Sequence, residues 1–211
     1  MTTNRNYRHG DVRGAALRAA RDVVETDGTA SLSLRAVARA IGVTHAALYR
    51  HFADRDAMLA ELGIEALQQL ARELSSAQAR HREPMAKAEA LARAYLRFAV
   101  REPGLYRVAF VLPRKSQYPA LRAAADEVER VALILLEQLV AAGHMPQDDV
   151  HRLAPVLWAL LHGFSTLAMD GQFTEGEIAL GRGAVAAIER SLLDGVRRLL
   201  NSGQAPGRTL P

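Results

Sequence analysis

Residues 33–52 read SLRAVARAIGVTHAALYRHF, and this stretch predicts two short helices joined by a tight turn. Apolar residues recur at spacings of three and four, which gives each helix one inward-facing side. Gly42 supplies a left-handed residue after the first helix, and Thr44 can cap the second. The inward-facing positions are Leu34, Val37, Ala38, Ile41, Leu48 and Phe52. This arrangement is that of a helix-turn-helix.

The outer side of the second helix is polar and cationic, and it carries His45, Ala46, Tyr49 and Arg50. Between residues 29 and 53 the charged side chains are those of Arg35, Arg39 and Arg50, and all three are positive. A helix with such a face can enter the major groove of DNA. A surface with three arginines can also be an ordinary solvated face, so the geometry alone leaves both interpretations open.

The rest of the chain predicts an all-α protein. Its 211 residues are 49% hydrophobic and only 5% aromatic, and apolar residues recur at helical spacing almost everywhere. Gly, Pro and polar clusters divide it into about nine helices. These span about 12–27, 34–41, 44–52, 55–79, 85–101, 105–111, 119–142, 149–169 and 174–200, with Asp11 as the first N-cap and Thr174 with Glu177 as the last capping box. Pro155 predicts a bend or a late start in the eighth helix.

The domain organisation is predicted from the same Gly, Pro and polar clusters that separate the helices. Residues 1–54 form a helix-turn-helix domain preceded by a basic arm with Arg5 and Arg8, and residues 55–80 form a connecting helix. The composition changes near residues 81–84, so 81–200 is the second domain, and the Gly- and Pro-rich residues 201–211 form a disordered tail.

Composition excludes several classes of protein. The formal net charge of +4 permits a polyanionic partner without requiring one. The absence of cysteine excludes disulfides and thiolate metal sites, and the histidines lack a metal-ligand spacing. There is no secretory leader and no apolar run long enough for a membrane span, so we expect a soluble cytoplasmic protein without membrane contact. The sequence also lacks a Gly-rich phosphate loop, a Ser elbow and paired carboxylates on one helical face, so we expect neither an enzyme nor a cofactor.

Longer motifs resemble the TetR family of one-component bacterial regulators. The match lies in HGDVR at residues 9–13, AVARAIGV at 36–43 and ALYRHFADRDAML at 47–59, which together cover about residues 8–62. In the C-terminal half, WALLHG at residues 158–163 and LYRVAF at 105–110 resemble a TetR subgroup with a Trp-His-Gly signature.

The resemblance implies roles for individual residues in binding operator DNA. Base contacts are implied for Arg35, His45, Ala46 and Arg50, with the arginine fork suited to guanine. Phosphate contacts are implied for Thr44, Tyr49, His51 and Arg55. Tyr49 could instead be a half-buried packing residue, and His51 could be a cap or core histidine.

The resemblance also implies that the C-terminal helices form a homodimer and bind a small effector. The apolar helices at about 149–169 and 174–200 would build a four-helix interface with two-fold symmetry. The candidate pocket residues are Tyr95, Phe98, Phe110, Leu136, Trp158 and His162. Trp158 and His162 lie four residues apart on one face, and ordinary packing is the alternative for both. An apolar pocket would take a small, largely apolar effector.

The leading hypothesis is therefore a ligand-responsive transcriptional regulator, a repressor that occupies its operator. Two alternatives stay open: a helical enzyme with a vestigial helix-turn-helix, and a nucleoid-type DNA-binding protein without an effector.

Overall fold

A computed structural model describes residues 11–112, 117–172, 190 and 193–198. Within those residues the secondary structure is helical and no strand occurs, which confirms the all-α prediction. Eight α-helices have both ends in this part of the chain, and residues 193–198 are helical as well. The helices are α1 (Val12–Thr26), α2 (Leu34–Ile41), α3 (His45–Tyr49), α4 (Arg55–Gln78), α5 (Pro84–Arg101), α6 (Pro103–Val111), α7 (Pro119–Ala141) and α8 (Val150–Met169).

Local capping explains where the first three helices begin. The side chains of Asp11, Ser33 and Thr44 accept hydrogen bonds from the backbone N–H groups three residues ahead, at 2.9, 3.1 and 3.1 Å. Helix α2 ends at Gly42, which has φ 72° and ψ 28°. The next residue, Val43, donates its N–H to the carbonyl of Ala38 at 3.0 Å, as expected for a left-handed helix end. The predicted caps and the predicted turn glycine are confirmed.

Helix α3 is shorter than the sequence predicts. It ends at Tyr49 rather than near Phe52, because the carbonyl of Leu48 accepts hydrogen bonds from both His51 N (2.9 Å) and Phe52 N (3.1 Å). This sharing tightens the last turn. The side chains of Leu48 and Phe52 are nevertheless buried, as predicted.

The chain divides into two compact units. The first contains Met1–Leu67 and Gly104–Ala124, and the second contains Gln68–Pro103 and Ala125–Pro211. The first unit has a core of buried apolar side chains from α1, α2, α3, α4 and α6. This core consists of Ala16, Leu17, Ala20, Val24, Leu32, Leu34, Val37, Ala38, Leu48, Phe52, Met58, Leu59, Leu62 and Val108.

In the second unit, α5 packs against α8. Helix α8 begins at Val150 and continues through Pro155, so the late start does not occur. The carbonyl of His151 loses its helical donor at Pro155. Because His151 and Pro155 are both exposed, water can reach this turn. The predicted capping box at Thr174 and Glu177 lies outside the described residues.

None of the described helices is both long enough and apolar enough to span a membrane.

Candidate nucleic-acid interface and ligand site

Seven of the eight residues predicted to contact DNA lie on the helix-turn-helix and are called here the recognition surface. It consists of Arg35, Thr44, His45, Ala46, Tyr49, Arg50 and His51. All of these side chains are exposed except His45, which is half-buried. Their opposite neighbours Val37 and Leu48 have no exposed area, so burial of the core fixes which side of the helices faces outward.

Aromatic contact orders the middle of the recognition surface. The rings of His45 and Tyr49 meet edge to face, with centroids 4.5 Å apart. Tyr49 is 47% exposed, so its hydroxyl is free to reach outward while its ring is held by His45. The recognition surface therefore presents an ordered ring pair beside the exposed guanidinium of Arg50.

Arg55 is held differently from the rest of the predicted contacts. Its Nε donates to the carbonyl of Leu32 at 3.1 Å, and its Nη2 donates to the carbonyl of Thr29 at 2.7 Å. The remaining Nη1 lies 3.4 Å from Asp56. The guanidinium thus ties the start of α4 to the segment between α1 and α2, a role that the sequence does not reveal because the partners are backbone carbonyls.

The first unit contains a second long-range connection that the sequence analysis missed. The carboxylate of Glu25, in the last turn of α1, accepts hydrogen bonds from Gly104 N and Leu105 N, both at 2.9 Å. These N–H groups belong to the first turn of α6, where helical donors lack helical acceptors. A Cβ on Gly104 would come within 2.4 Å of the carbonyl oxygen of Val24, so α6 approaches α1 as only glycine permits.

In the second unit the structure brings Tyr95 and His162 together. The Tyr95 hydroxyl lies 3.1 Å from Nδ1 of His162, and Tyr95 itself is buried. The ring of Trp158 lies 5.6 Å from that of His162, which confirms that these two residues share a face of α8. Burial lowers the pKa of His162 from its ordinary value, so the neutral imidazole is favoured.

The remaining predicted pocket residues are Phe98, Leu136 and Phe110. Phe98 and Leu136 are buried in the second unit. Phe110 belongs to the first unit, where its ring contacts Tyr106 at 5.2 Å between centroids. The assignment of these residues to a ligand pocket stays a prediction.

Helix α8 has two further features that the sequence analysis did not single out. Ser165 has no exposed area, and its Oγ is buried without a hydrogen-bond partner. On another side of the helix, the apolar residues Val156 and Leu167 are each 45% exposed. Gly163 lies on the same side of α8, between Val156 and Leu167 along the helix. A Cβ added at Gly163 would meet no atom within 4 Å.

Among the residues that the structure describes, no three His, Asp or Glu side chains converge in a way that could hold a metal ion.

A helix-turn-helix whose outer face carries exposed arginines and no carboxylate, followed by a separate helical unit, is typical of a DNA-binding transcriptional regulator. A family model described as bacterial regulatory proteins of the tetR family matches residues 16–62. A second, described as the tetracyclin repressor-like C-terminal domain, matches residues 88–195. The chain belongs to the TetR family, with a DNA-binding and a ligand-binding domain.

Individual proteins are similar to this chain over most of its length. YobS of Bacillus subtilis (strain 168), an uncharacterized HTH-type transcriptional regulator, is 24% identical over 159 residues, which cover 75% of this chain and 80% of YobS. A solved protein of unknown function from Rhodococcus sp. RHA1 is 30% identical with a TM-score of 0.77, covering 93% of this chain and 99% of that one. FadR from Bacillus subtilis, solved in complex with stearoyl-CoA, shares the fold at 18% identity and a TM-score of 0.65, covering 90% of this chain and 98% of FadR.

Proposed function

We propose that this protein is a repressor that binds operator DNA as a homodimer and is released by a small, largely apolar effector. The observation that carries the DNA-binding part is the recognition surface, an exposed and cationic face without a carboxylate between residues 29 and 53. A polyanion meets no repulsive charge on this part of the chain, and the arginines add favourable contacts with phosphates and bases.

The proposed roles divide the recognition surface into residues that contact bases, which select the sequence, and residues that contact phosphates, which position the protein. Arg35 and Arg50 supply two-pronged donors for base edges, His45 supplies a ring nitrogen, and Ala46 can only touch a thymine methyl. Thr44, Tyr49 and His51 supply hydroxyl and imidazole groups for phosphates. Arg55 is proposed to add its charge to the phosphate contacts while it holds the carbonyls of Thr29 and Leu32.

The proposed dimer uses the outer side of α8 together with the helix expected at about 174–200. Val156 and Leu167 expose large apolar side chains, which a second protomer would cover. The open space at Gly163 would let the two α8 helices approach closely. An isologous contact of this kind gives the two-fold symmetry that a palindromic operator requires.

The proposed effector site lies in the second unit, around Tyr95, Phe98, Leu136, Trp158 and His162. These side chains are aromatic or aliphatic except for one paired hydroxyl and imidazole, which suits an apolar molecule with a small polar group. FadR from Bacillus subtilis, which shares the fold, was solved in complex with stearoyl-CoA. Effector binding would shift the dimer toward a spacing of its DNA-binding parts that no longer fits successive major grooves.

Membership of a regulator family favours this function over the enzyme with a vestigial helix-turn-helix. A second domain that matches a ligand-binding family favours it over a nucleoid-type protein. We also propose that the chain belongs to the subgroup with the Trp-His-Gly signature and acts in the cytoplasm.

The test is a gel-shift assay with the DNA upstream of the protein's own coding region, titrated against salt. We expect selective retardation, with log affinity falling linearly against log salt as several phosphate contacts form. The matched variant Arg50→Ala should lose selectivity, while Arg130→Ala, which replaces an exposed arginine on α7, should bind like the parent protein. Equal binding to all fragments would favour the nucleoid-type protein, and no binding to any fragment would contradict the proposal.

A further inference from the structure

Ser165 has a side-chain environment that ordinary helix packing does not explain. Serine and threonine hydroxyls inside helices commonly donate to the carbonyl four residues earlier. The neighbouring Thr166 does this, with its Oγ1 2.9 Å from the carbonyl of His162. Ser165 does not, although it has no exposed area, so its hydroxyl is a buried polar group without a partner. Such a group destabilises the folded protein unless something else satisfies it.

The unpartnered hydroxyl shares its side of α8 with other polar side chains. On α8, Trp158, His162 and Ser165 follow one another at spacings of four and three, so they share one side of the helix. Helix α5 packs against α8 and contributes Tyr95, whose hydroxyl is bonded to Nδ1 of His162. Trp158 is 48% exposed, so this side of α8 meets solvent at the indole ring. The polar cluster, as we call Tyr95, His162 and Ser165, thus contains one hydrogen bond between α5 and α8 and one unpartnered hydroxyl on the same side of α8.

On the described helices α5 and α8, the sides that carry this polar cluster bear no formally charged side chain. From Leu153 to Met169 the sequence contains no Asp, Glu, Lys or Arg. The residues one turn before and after Tyr95 on α5 are Leu91, Ala92, Phe98 and Ala99, which are all apolar and buried. Arg93 and Arg97 are two residues from Tyr95 and therefore point to other sides of α5. Burial also keeps His162 neutral by lowering its pKa.

We propose that Ser165, with the Tyr95–His162 pair beside it, binds the uncharged oxygen of a small apolar molecule, an alcohol, ketone or ester. A carboxylate or ammonium group would lose its hydration here without gaining a counter-charge, whereas a neutral oxygen needs only hydrogen bonds. This inference rests on the proposed effector function, because it names the chemistry that the effector site recognises.

Trp158 makes the test specific, because it is the single tryptophan of the chain. The full-length protein is titrated with 1-hexanol, 1-chlorohexane, hexanoate and hexylammonium, and binding is followed by Trp158 emission and by saturation-transfer NMR of the probe. We expect 1-hexanol to bind saturably and at least about tenfold more tightly than either charged probe.

The variant Ser165→Ala should weaken the binding of 1-hexanol roughly tenfold, which corresponds to the loss of one hydrogen bond, and should leave 1-chlorohexane unaffected. Its melting temperature should be equal to or above that of the parent protein, because no bond within the protein is lost. The matched control Thr166→Val removes a hydroxyl that is already bonded within α8, so it should bind 1-hexanol like the parent.

Three results would overturn the proposal: tighter binding of hexanoate than of 1-hexanol, unchanged binding of 1-hexanol by Ser165→Ala, or no saturable signal from 1-hexanol in either measurement. A lower melting temperature of Ser165→Ala, with equal loss of both uncharged probes, would show a structural serine instead. The gel-shift assay reports separately on DNA binding, so a failure of the regulator function is distinguished from a failure of this site.

Discussion

The carboxylate of Glu25 holds the backbone of Gly104: its Oε2 accepts the Gly104 N–H at 2.9 Å, across 79 positions of sequence. Its other oxygen accepts the N–H of Leu105. A carboxylate at this place satisfies two donors of the first turn of α6 and matches the positive end of that helix. The end of α1 and the start of α6 are thereby fixed to each other within the first unit.

Replacing Glu25 by Ala should lower the free energy of unfolding by about 2 kcal/mol, since two N–H groups at a helix start lose their acceptor. Urea unfolding measures this change. Asp22→Ala removes the same charge from an exposed position of α1 and should change the stability by less than about 0.5 kcal/mol. If both variants lost equal stability, the effect would come from net charge and the capping interpretation would be wrong.

Gly104→Ala should be at least as harmful, about 2 kcal/mol or more, because its Cβ would lie 2.4 Å from the carbonyl oxygen of Val24, and a backbone atom cannot easily move away. Thermal and urea unfolding check this expectation. Gly195→Ala is the matched control, because its Cβ would make an ordinary contact of 3.7 Å with Leu160. An unchanged stability for Gly104→Ala would show that α6 is not held against α1.

Local signals in the sequence were sufficient for the helix-turn-helix. Gly42, Ser33 and Thr44 act on backbone groups within three or four residues, so their roles follow from the neighbouring sequence. The inward positions were predicted for the same reason, because helical periodicity determines one face of a short helix. Ile41 alone is only partly buried among them.

Long-range partners were beyond the reach of the sequence. Nothing near Glu25 indicates that its carboxylate accepts hydrogen bonds from N–H groups 79 and 80 positions away, and nothing near Arg55 indicates that it donates to the carbonyls of Thr29 and Leu32. The burial of Ser165 Oγ without a partner likewise depends on the packing around α8, which the local sequence does not reveal. The pairing of Tyr95 with His162 was predicted only as membership of one pocket.

The variant Arg55→Lys tests separately the two roles of Arg55, its hydrogen bonds to backbone carbonyls and its proposed charge contact with a DNA phosphate. Lysine keeps the positive charge but cannot reach two carbonyls in the geometry of the guanidinium, so we expect a loss of about 1–2 kcal/mol in stability. The salt slope of operator binding should stay unchanged for Arg55→Lys and should fall by about one for Arg55→Gln if Arg55 also meets a phosphate. Arg39→Gln is the control, because that exposed side chain has no assigned DNA contact and should change neither the salt slope nor the stability. A salt slope that is the same for Arg55→Gln would leave Arg55 with a purely structural role.

Leu167→Glu should convert the proposed dimer into monomers without unfolding them. Leu167 is 45% exposed in the protomer, so a charge there is tolerated until a second copy covers it. Sedimentation at micromolar concentration distinguishes the two states, and the melting temperature at low concentration monitors the protomer. Val100→Glu places the same charge on an exposed apolar position of α5 and should leave the association unchanged. A monomeric parent protein, or a dimeric Leu167→Glu, would contradict the proposed interface.

His162 should make the protein less stable in acid. Burial lowers its pKa in the folded protein below the ordinary value of 6.5, so the unfolded chain binds the proton more readily. Well above pH 6.5 the imidazole of His162 is neutral in both the folded and the unfolded state, so it adds no pH dependence to the free energy of unfolding. As the pH falls below 6.5, the unfolded state takes up protons first, and the free energy of unfolding decreases until the folded pKa is passed. Melting temperatures between pH 8 and pH 5 should therefore fall more steeply for the parent protein than for His162→Gln, whereas His151→Gln, an exposed histidine on the same helix, should keep the parent's slope. If His162→Gln and the parent lost stability in parallel over this range, the acid sensitivity would arise elsewhere, and a half-buried His162 with a lowered pKa would be the wrong description.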